Sequence, residues 1–222
     1  MERFLIGIGR IVAIAEFLYV AFSYARPLWG EYRNGVLLRD LGHLDRTIAY
    51  AALSLYCGVT ALMLALPKPP ARRLAPMSRR LLVCCFIVLP LLAWAPSWTG
   101  WSVSAPRQLS EAGYWLMTAG ALGALAGTLA MGRSFGLVPA RRELVRRGVH
   151  AVVRHPIYSC HALIMTGFLL IFYSPWILGV TSVSMAGLIV TALWEERLLS
   201  EADGQYAQYC RTVRWRFIPW VL

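Results

Sequence analysis

Charge is scarce in this 222-residue chain, and negative charge is scarcer still: 15% of residues are charged, with 11 Asp and Glu against 22 Lys and Arg. Soluble domains carry about a quarter of their residues charged, so an ordinary soluble surface is excluded. The five cysteines (Cys57, Cys84, Cys85, Cys160 and Cys210) show no C-x-x-C or Cys/His spacing. That argues against a structural zinc or a disulfide framework. Four of them fall in apolar runs and the fifth in a tail expected to be cytoplasmic, where thiols stay reduced. Internal repeats and low-complexity tracts are lacking. The first apolar run is expected to be a retained helix and not a signal peptide: it is too long for the usual apolar region, carries Arg10 and Glu16, and is followed by no small-residue cleavage pattern.

What the chain has instead is apolar length. Hydrophobic residues make up 58% of it, and runs of about 17–25 apolar residues are what crosses a hydrocarbon core. Six such runs stand out: Phe4–Ala25, Thr47–Leu66, Leu81–Ala95, Ala112–Met131, Ile157–Phe172 and Trp176–Trp194. The expectation is an all-α, polytopic integral membrane protein of about six transmembrane helices, with residues 1–131 as N-terminal helices and 132–222 as a loop, a helical hairpin and a tail. The net charge of +11 does not mark a nucleic-acid partner, because the arginines are placed by topology. Lys68, Arg72, Arg73, Arg79 and Arg80 follow the second run; Arg133, Arg141, Arg142, Arg146, Arg147 and Arg154 follow the fourth; Arg197, Arg211, Arg214 and Arg216 close the chain. Positive residues collect on the cytoplasmic side, so both termini are expected there, in a cell (inner) membrane. Arg26, Arg33, Arg39 and Arg46 dissent, diluted by Glu31, Asp40 and Asp45.

Pro67–Pro76 is a proline-rich basic connection, and Ala95–Gln108 a loop whose tryptophans suit a membrane interface. The fourth run contains "GALGALAG", with Gly123 and Gly127 in G-x-x-x-G spacing, read as a packing face. Arg10 is near enough to the membrane surface to snorkel. Glu16 lies deeper, and intramembrane charge faces a partner or a cavity.

The chemistry is expected in the last third. Folding the last two helices about "YSPW" returns Arg154, His155 and Tyr158 to the same face as Glu195 and Glu196. So many hydrogen-bonding groups at one hairpin mouth are expensive unless they hold something polar. Pro156 suits a first helical position, it holds His155 extended, and the free N–H groups of that turn suit a carboxylate. Paired glutamates accept from ammonium groups, ribose hydroxyls or a metal. The further carboxylate or histidine ligands that a metal wants are not evident in the sequence. A cationic nucleoside with an amino-acid tail suits both sides of the mouth. A juxtamembrane salt-bridge cluster is the structural alternative.

The stretches "GRSFGLVPARRELVRRGVHAVVRHPIYS" and "EERLLSEADGQYAQYCRTVRWRFIP", spanning Gly132 to Pro219, resemble the isoprenylcysteine carboxyl methyltransferase family, above all its bacterial members. Phospholipid methyltransferases share the hairpin more distantly. The resemblance implies an S-adenosylmethionine pocket contacted by Leu144, Val145 and Gly148 from the loop, by His155, Pro156, Ile157 and Tyr158 at the helix mouth, and by Glu195 or Glu196 opposite. His150, also expected to contact the cofactor, stands in that loop where the family carries tyrosine, and Cys160 stands where it carries glycine. Thr191, one turn before the glutamates, replaces an arginine that would hold a prenylcysteine carboxylate. The resemblance therefore implies a membrane methyltransferase whose acceptor is a lipophilic small molecule or lipid other than prenylcysteine. A sulfonium methyl is already activated, so alignment and exclusion of water suffice and no catalytic residue is singled out; His161 is either a base or a satisfied core histidine. Competing readings are a sterol-reductase-like enzyme using NADPH, and a membrane transporter or scaffold.

Overall fold

The computed structural model describes residues 2–34, 43–66, 72–73, 103–136, 140–141, 146–202 and 204–221. In chain order the helices are α1 (Glu2–Arg33), α2 (Leu44–Ala65), α3 (Arg107–Met131), α4 (Pro156–Ile171), α5 (Pro175–Ala202) and α6 (Gly204–Thr212). Two-residue strands β1 (Arg72–Arg73) and β3 (Ala140–Arg141) pair antiparallel, as do β2 (Val103–Ser104) and β4 (Phe172–Tyr173).

Four helices are long and apolar enough to cross a membrane, over Arg10–Gly30, Leu44–Ala65, Arg107–Met131 and Pro175–Glu201. The first expected span ended at Ala25, but α1 continues past Pro27 to Arg33. The fifth expected span is α4, whose 16 residues reach only about 24 Å at helical rise, short of a core of about 30 Å. The third, Leu81–Ala95, lies outside the described residues. Among the described residues there are thus four candidate spans, with a shorter apolar helix beside them, and the expected count of about six is not confirmed.

α1 and α2 run antiparallel, as do α3 and α4, whereas α2 and α3 run in the same direction, and two clusters show which ends meet. At one end Tyr24, Ala49, Leu53, Ile171 and Met117 are buried together, with Tyr50, Tyr114, Phe168 and Phe172 packed against them. At the other, Ala13, Leu64 and Phe135 are buried with Met131 and Ile157 around them. This second end also gathers the last turn of α2, whose carbonyls Arg10 caps: Nε donates to Leu64 O at 2.6 Å, and Nη2 to Ala65 O and Leu66 O at 2.9 Å each. A cation there meets the negative end of the helix dipole as well as orphan carbonyls. Arg10 is thus an interhelical cap, a more definite job than snorkelling. Glu16, half-buried on α1, has no hydrogen-bond partner among the described residues.

The closest packing is between α3 and α4, and the glycines explain it. A Cβ on Gly113 would sit 2.7 Å from the Gly167 carbonyl oxygen, one on Gly120 would sit 2.6 Å from that of Cys160, and one on Gly127 would lie 2.8 Å from Ile157 Cγ1. Bare backbone at these positions lets the helices approach without side chains between them. This fixes where α4 begins, and so where its first turn lies.

Candidate functional site

Building the site starts with Gly148, whose φ of +61° lies in the left-handed region that a side chain resists. It opens a 3-10 turn, Gly148–Ala151, that carries the chain to the head of α4. His150, in that turn, is buried with its Nδ1 unpartnered, and its carbonyl accepts the Tyr209 hydroxyl at 2.6 Å. Burial first, then the neighbouring His155, pulls the His150 pKa down to about 4. His155 is the residue before α4; with φ −122° and ψ 59° it leaves the helical region but is not the extended residue expected ahead of proline, and it adds no side-chain cap.

The hairpin brings the expected groups together. His155 Nε2 lies 3.2 Å from Glu196 Oε1, and Tyr158 donates its hydroxyl to Glu195 Oε2 at 3.1 Å. The His155 and Tyr158 rings stack flat, 5.4 Å between centroids and 1° between planes, and Phe217 approaches the same imidazole at 5.7 Å. Arg154 Nη1 stands 3.1 Å from Glu196 Oε1, while its Nε is buried without a partner. Ile157 is different: its side chain turns to Gly127 on α3 and the apolar cluster there, leaving only its backbone near the mouth. Pro156 is buried at the first helical position. Leu144 and Val145 lie outside the described residues. Thr191 is buried on α5.

The two glutamates differ in what holds them. Arg216 grips Glu196 through Nε, at 3.1 Å from each oxygen, and through Nη2 at 2.9 Å from Oε2. Hydrogen bonding to Glu196 in turn raises the Arg216 pKa above its ordinary value. With Arg154 and His155 also on it, Glu196 is a closed ionic centre whose side chain is 11% exposed; that of Glu195 is 26% exposed. Glu195 Oε1 takes no hydrogen bond among the described residues. Arg216 was grouped in the sequence with arginines of topology. A buried carboxylate pair opposite a single arginine was the signal that another cation was needed.

His161 shares a 2.7 Å hydrogen bond with Tyr56 of α2, so it is a partnered core histidine.

This is a helical membrane protein with a polar, ionic centre built into one hairpin mouth. Residues 109–206 match the phospholipid methyltransferase family, and this domain lies in the group of membrane methyltransferases that includes the isoprenylcysteine carboxyl methyltransferases. The match begins in α3, earlier than the resemblance drawn from Gly132, and stops at Tyr206 before the rest of the tail. No curated protein matches the chain significantly.

Proposed function

We propose that the chain is an S-adenosylmethionine-dependent methyltransferase whose acceptor is lipophilic and reaches the site laterally through the bilayer. The observation that carries the reading is Glu195: a partly exposed carboxylate with one oxygen free, facing the first turn of α4 inside a phospholipid methyltransferase domain.

The residues suit such a ligand at both poles. Glu195 Oε1 accepts from ribose hydroxyls or an ammonium group. The first-turn N–H groups of α4 and the unpartnered Arg154 Nε donate to a carboxylate. The flat stack of His155 on Tyr158, with Phe217 beside it, presents aromatic faces that keep water from the mouth. From the loop, the family resemblance implies contacts to the cofactor by Gly148 and His150, and by Leu144 and Val145, which lie outside the described residues. When bound, the cofactor supplies a methyl group on a sulfonium, already activated toward a nucleophile. The chain then has to orient an acceptor and exclude water. Thr191 in place of an arginine leaves a prenylcysteine carboxylate unheld, so a hydroxyl-, thiol- or amine-bearing amphiphile is the favoured acceptor class.

The test is calorimetry on detergent-purified full-length protein with S-adenosylmethionine, S-adenosylhomocysteine and NADPH. Binding of the first two and not the third is expected. A hydrogen bond to a charged group is worth about 1.5–3 kcal/mol, so Glu195→Gln is expected to weaken binding about ten- to a hundredfold. NADPH binding alone, or full affinity in Glu195→Gln, overturns the reading.

A further inference from the structure

We infer that the paired glutamates do different jobs: Glu195 alone faces the ligand, while Glu196 anchors a strap made by the C-terminal tail, with Arg216 fastening it. The strap stands on geometry; the part given to Glu195 rests on the cofactor reading above.

The tail is tied along its length to the segment that leads into α4. Arg146 donates to Gln205 O at 3.2 Å, and Arg154 Nη2 to Arg214 O at 3.1 Å. Trp215 then lies in a parallel bridge with Val153. The backbone N–H of Arg154 donates to Trp215 O, and that of His155 to Arg216 O, both at 2.9 Å. Ser159 Oγ donates to Phe217 O at 2.7 Å. The tail carbonyls thus take the backbone donors just ahead of the helix mouth, and Phe217 is laid on the His155 ring. Only one side-chain ion pair among the described residues joins this tail segment to α5, namely Arg216 on Glu196.

Saturation of Glu196 makes it a poor ligand and a good anchor. Its Oε1 already faces Arg154, His155 and Arg216, and its Oε2 takes Arg216 again. A bidentate guanidinium on a carboxylate is directional, so it fixes where the tail lies as well as that it is held. Arg216 is therefore a positioning residue that acts on the mouth through Glu196 and His155. Its removal leaves Glu196 paired with Arg154 and His155, so the tail loosens while the bundle keeps its ionic balance.

Cys210 reports on the strap. Its thiol is partly buried, 3.3 Å from Arg154 Nη1, on the helix that precedes the strap. Alkylation of the detergent-solubilised full chain is followed by peptide mass spectrometry, so that Cys210 is read apart from the other thiols. Arg216→Gln and Glu196→Gln are each expected to speed Cys210 alkylation about tenfold or more. The double variant should react no faster than the faster single one, because both remove the same contact. Arg216→Lys, which keeps the charge without the fork, is expected in between. Added S-adenosylmethionine should slow Cys210 alkylation in the unaltered chain; Glu195→Gln should lose that protection while keeping the unliganded rate. Unchanged alkylation in both Arg216→Gln and Glu196→Gln, or additive effects, overturns the strap. An unliganded rate in Glu195→Gln as fast as in Glu196→Gln overturns the division of labour. If the strap variants respond as stated but S-adenosylmethionine never protects the unaltered chain, the cofactor reading fails and the strap stands.

Discussion

His150 is buried beside His155, with Nδ1 unpartnered, and this sets a pH dependence. Its folded pKa, about 4 through burial and then the charge of His155, lies below the ordinary imidazole value of about 6.5. Folding therefore resists its protonation. The stability it contributes is fully present above pH 6.5 and is lost progressively as pH falls through 6.5 toward 4. Thermal unfolding in detergent from pH 7.5 to 4 should show a falling midpoint over that window, and His150→Phe should flatten the fall; an equal slope in both proteins would refute the assignment. Residue by residue, the meeting of His155 and Tyr158 with the glutamates was legible because a helical hairpin returns its two ends to one face, whatever their separation in sequence. The hold of Arg216 on Glu196 was not. An arginine in a polar tail has no periodicity to say which way it turns, and positive charge at a membrane surface has a sufficient bland explanation. The equal weight given to Glu195 and Glu196 had the same origin, since adjacent positions share a composition but sit about 100° apart on a helix.

At the scale of elements, the α3–α4 contact sorts its glycines into two kinds. Gly120 faces the Cys160 carbonyl oxygen, which is backbone, whereas a Cβ on Gly123 would meet the Cys160 Sγ at 2.6 Å. A backbone atom cannot turn aside, and a thiol can. Gly120→Ala is expected to cost about 1–3 kcal/mol, the range for overpacking a close contact, and Gly123→Ala less. Combining each with Cys160→Ala should restore Gly123→Ala to near the parent melting temperature and leave Gly120→Ala unrescued. Rescue of both, or of neither, would show that the helices are not registered by these contacts. The small-residue face itself was legible from G-x-x-x-G spacing in an apolar run; its partner was not, because spacing names a surface and not what covers it. Helix ends were the least legible feature. Polar residues after Ala25 marked the edge of an apolar run, yet α1 runs on to Arg33, since hydropathy reports where lipid ends and the backbone hydrogen-bond ladder need not stop there.

The whole molecule has two unlike ends, and they bear on its orientation. One end holds the capped terminus of α2, the finish of α3, the start of α4 and the glutamates of α5. There β1, from the connection after α2, pairs with β3, from the connection after α3. The other end holds the β2–β4 pairing and the start of α3, where the Ala105 N–H donates to Ile171 O at 3.3 Å. The first end therefore receives Arg72, Arg73, Arg141, Arg146 and Arg147, from the arginine-rich connections, and on the positive-inside tendency it is the end expected to face the cytoplasm. Arg73 and Val103 thus lie at opposite ends of the bundle. Reporter fusions at Pro70 and Pro139 are expected to read cytoplasmic, and fusions at Thr99 and Ser174 to read on the far side. Agreement between Pro70 and Thr99 would break the two-ended arrangement. Inversion of all four would preserve it while moving the mouth away from cytosolic S-adenosylmethionine, so the same four fusions test both the architecture and the access that the proposed chemistry needs.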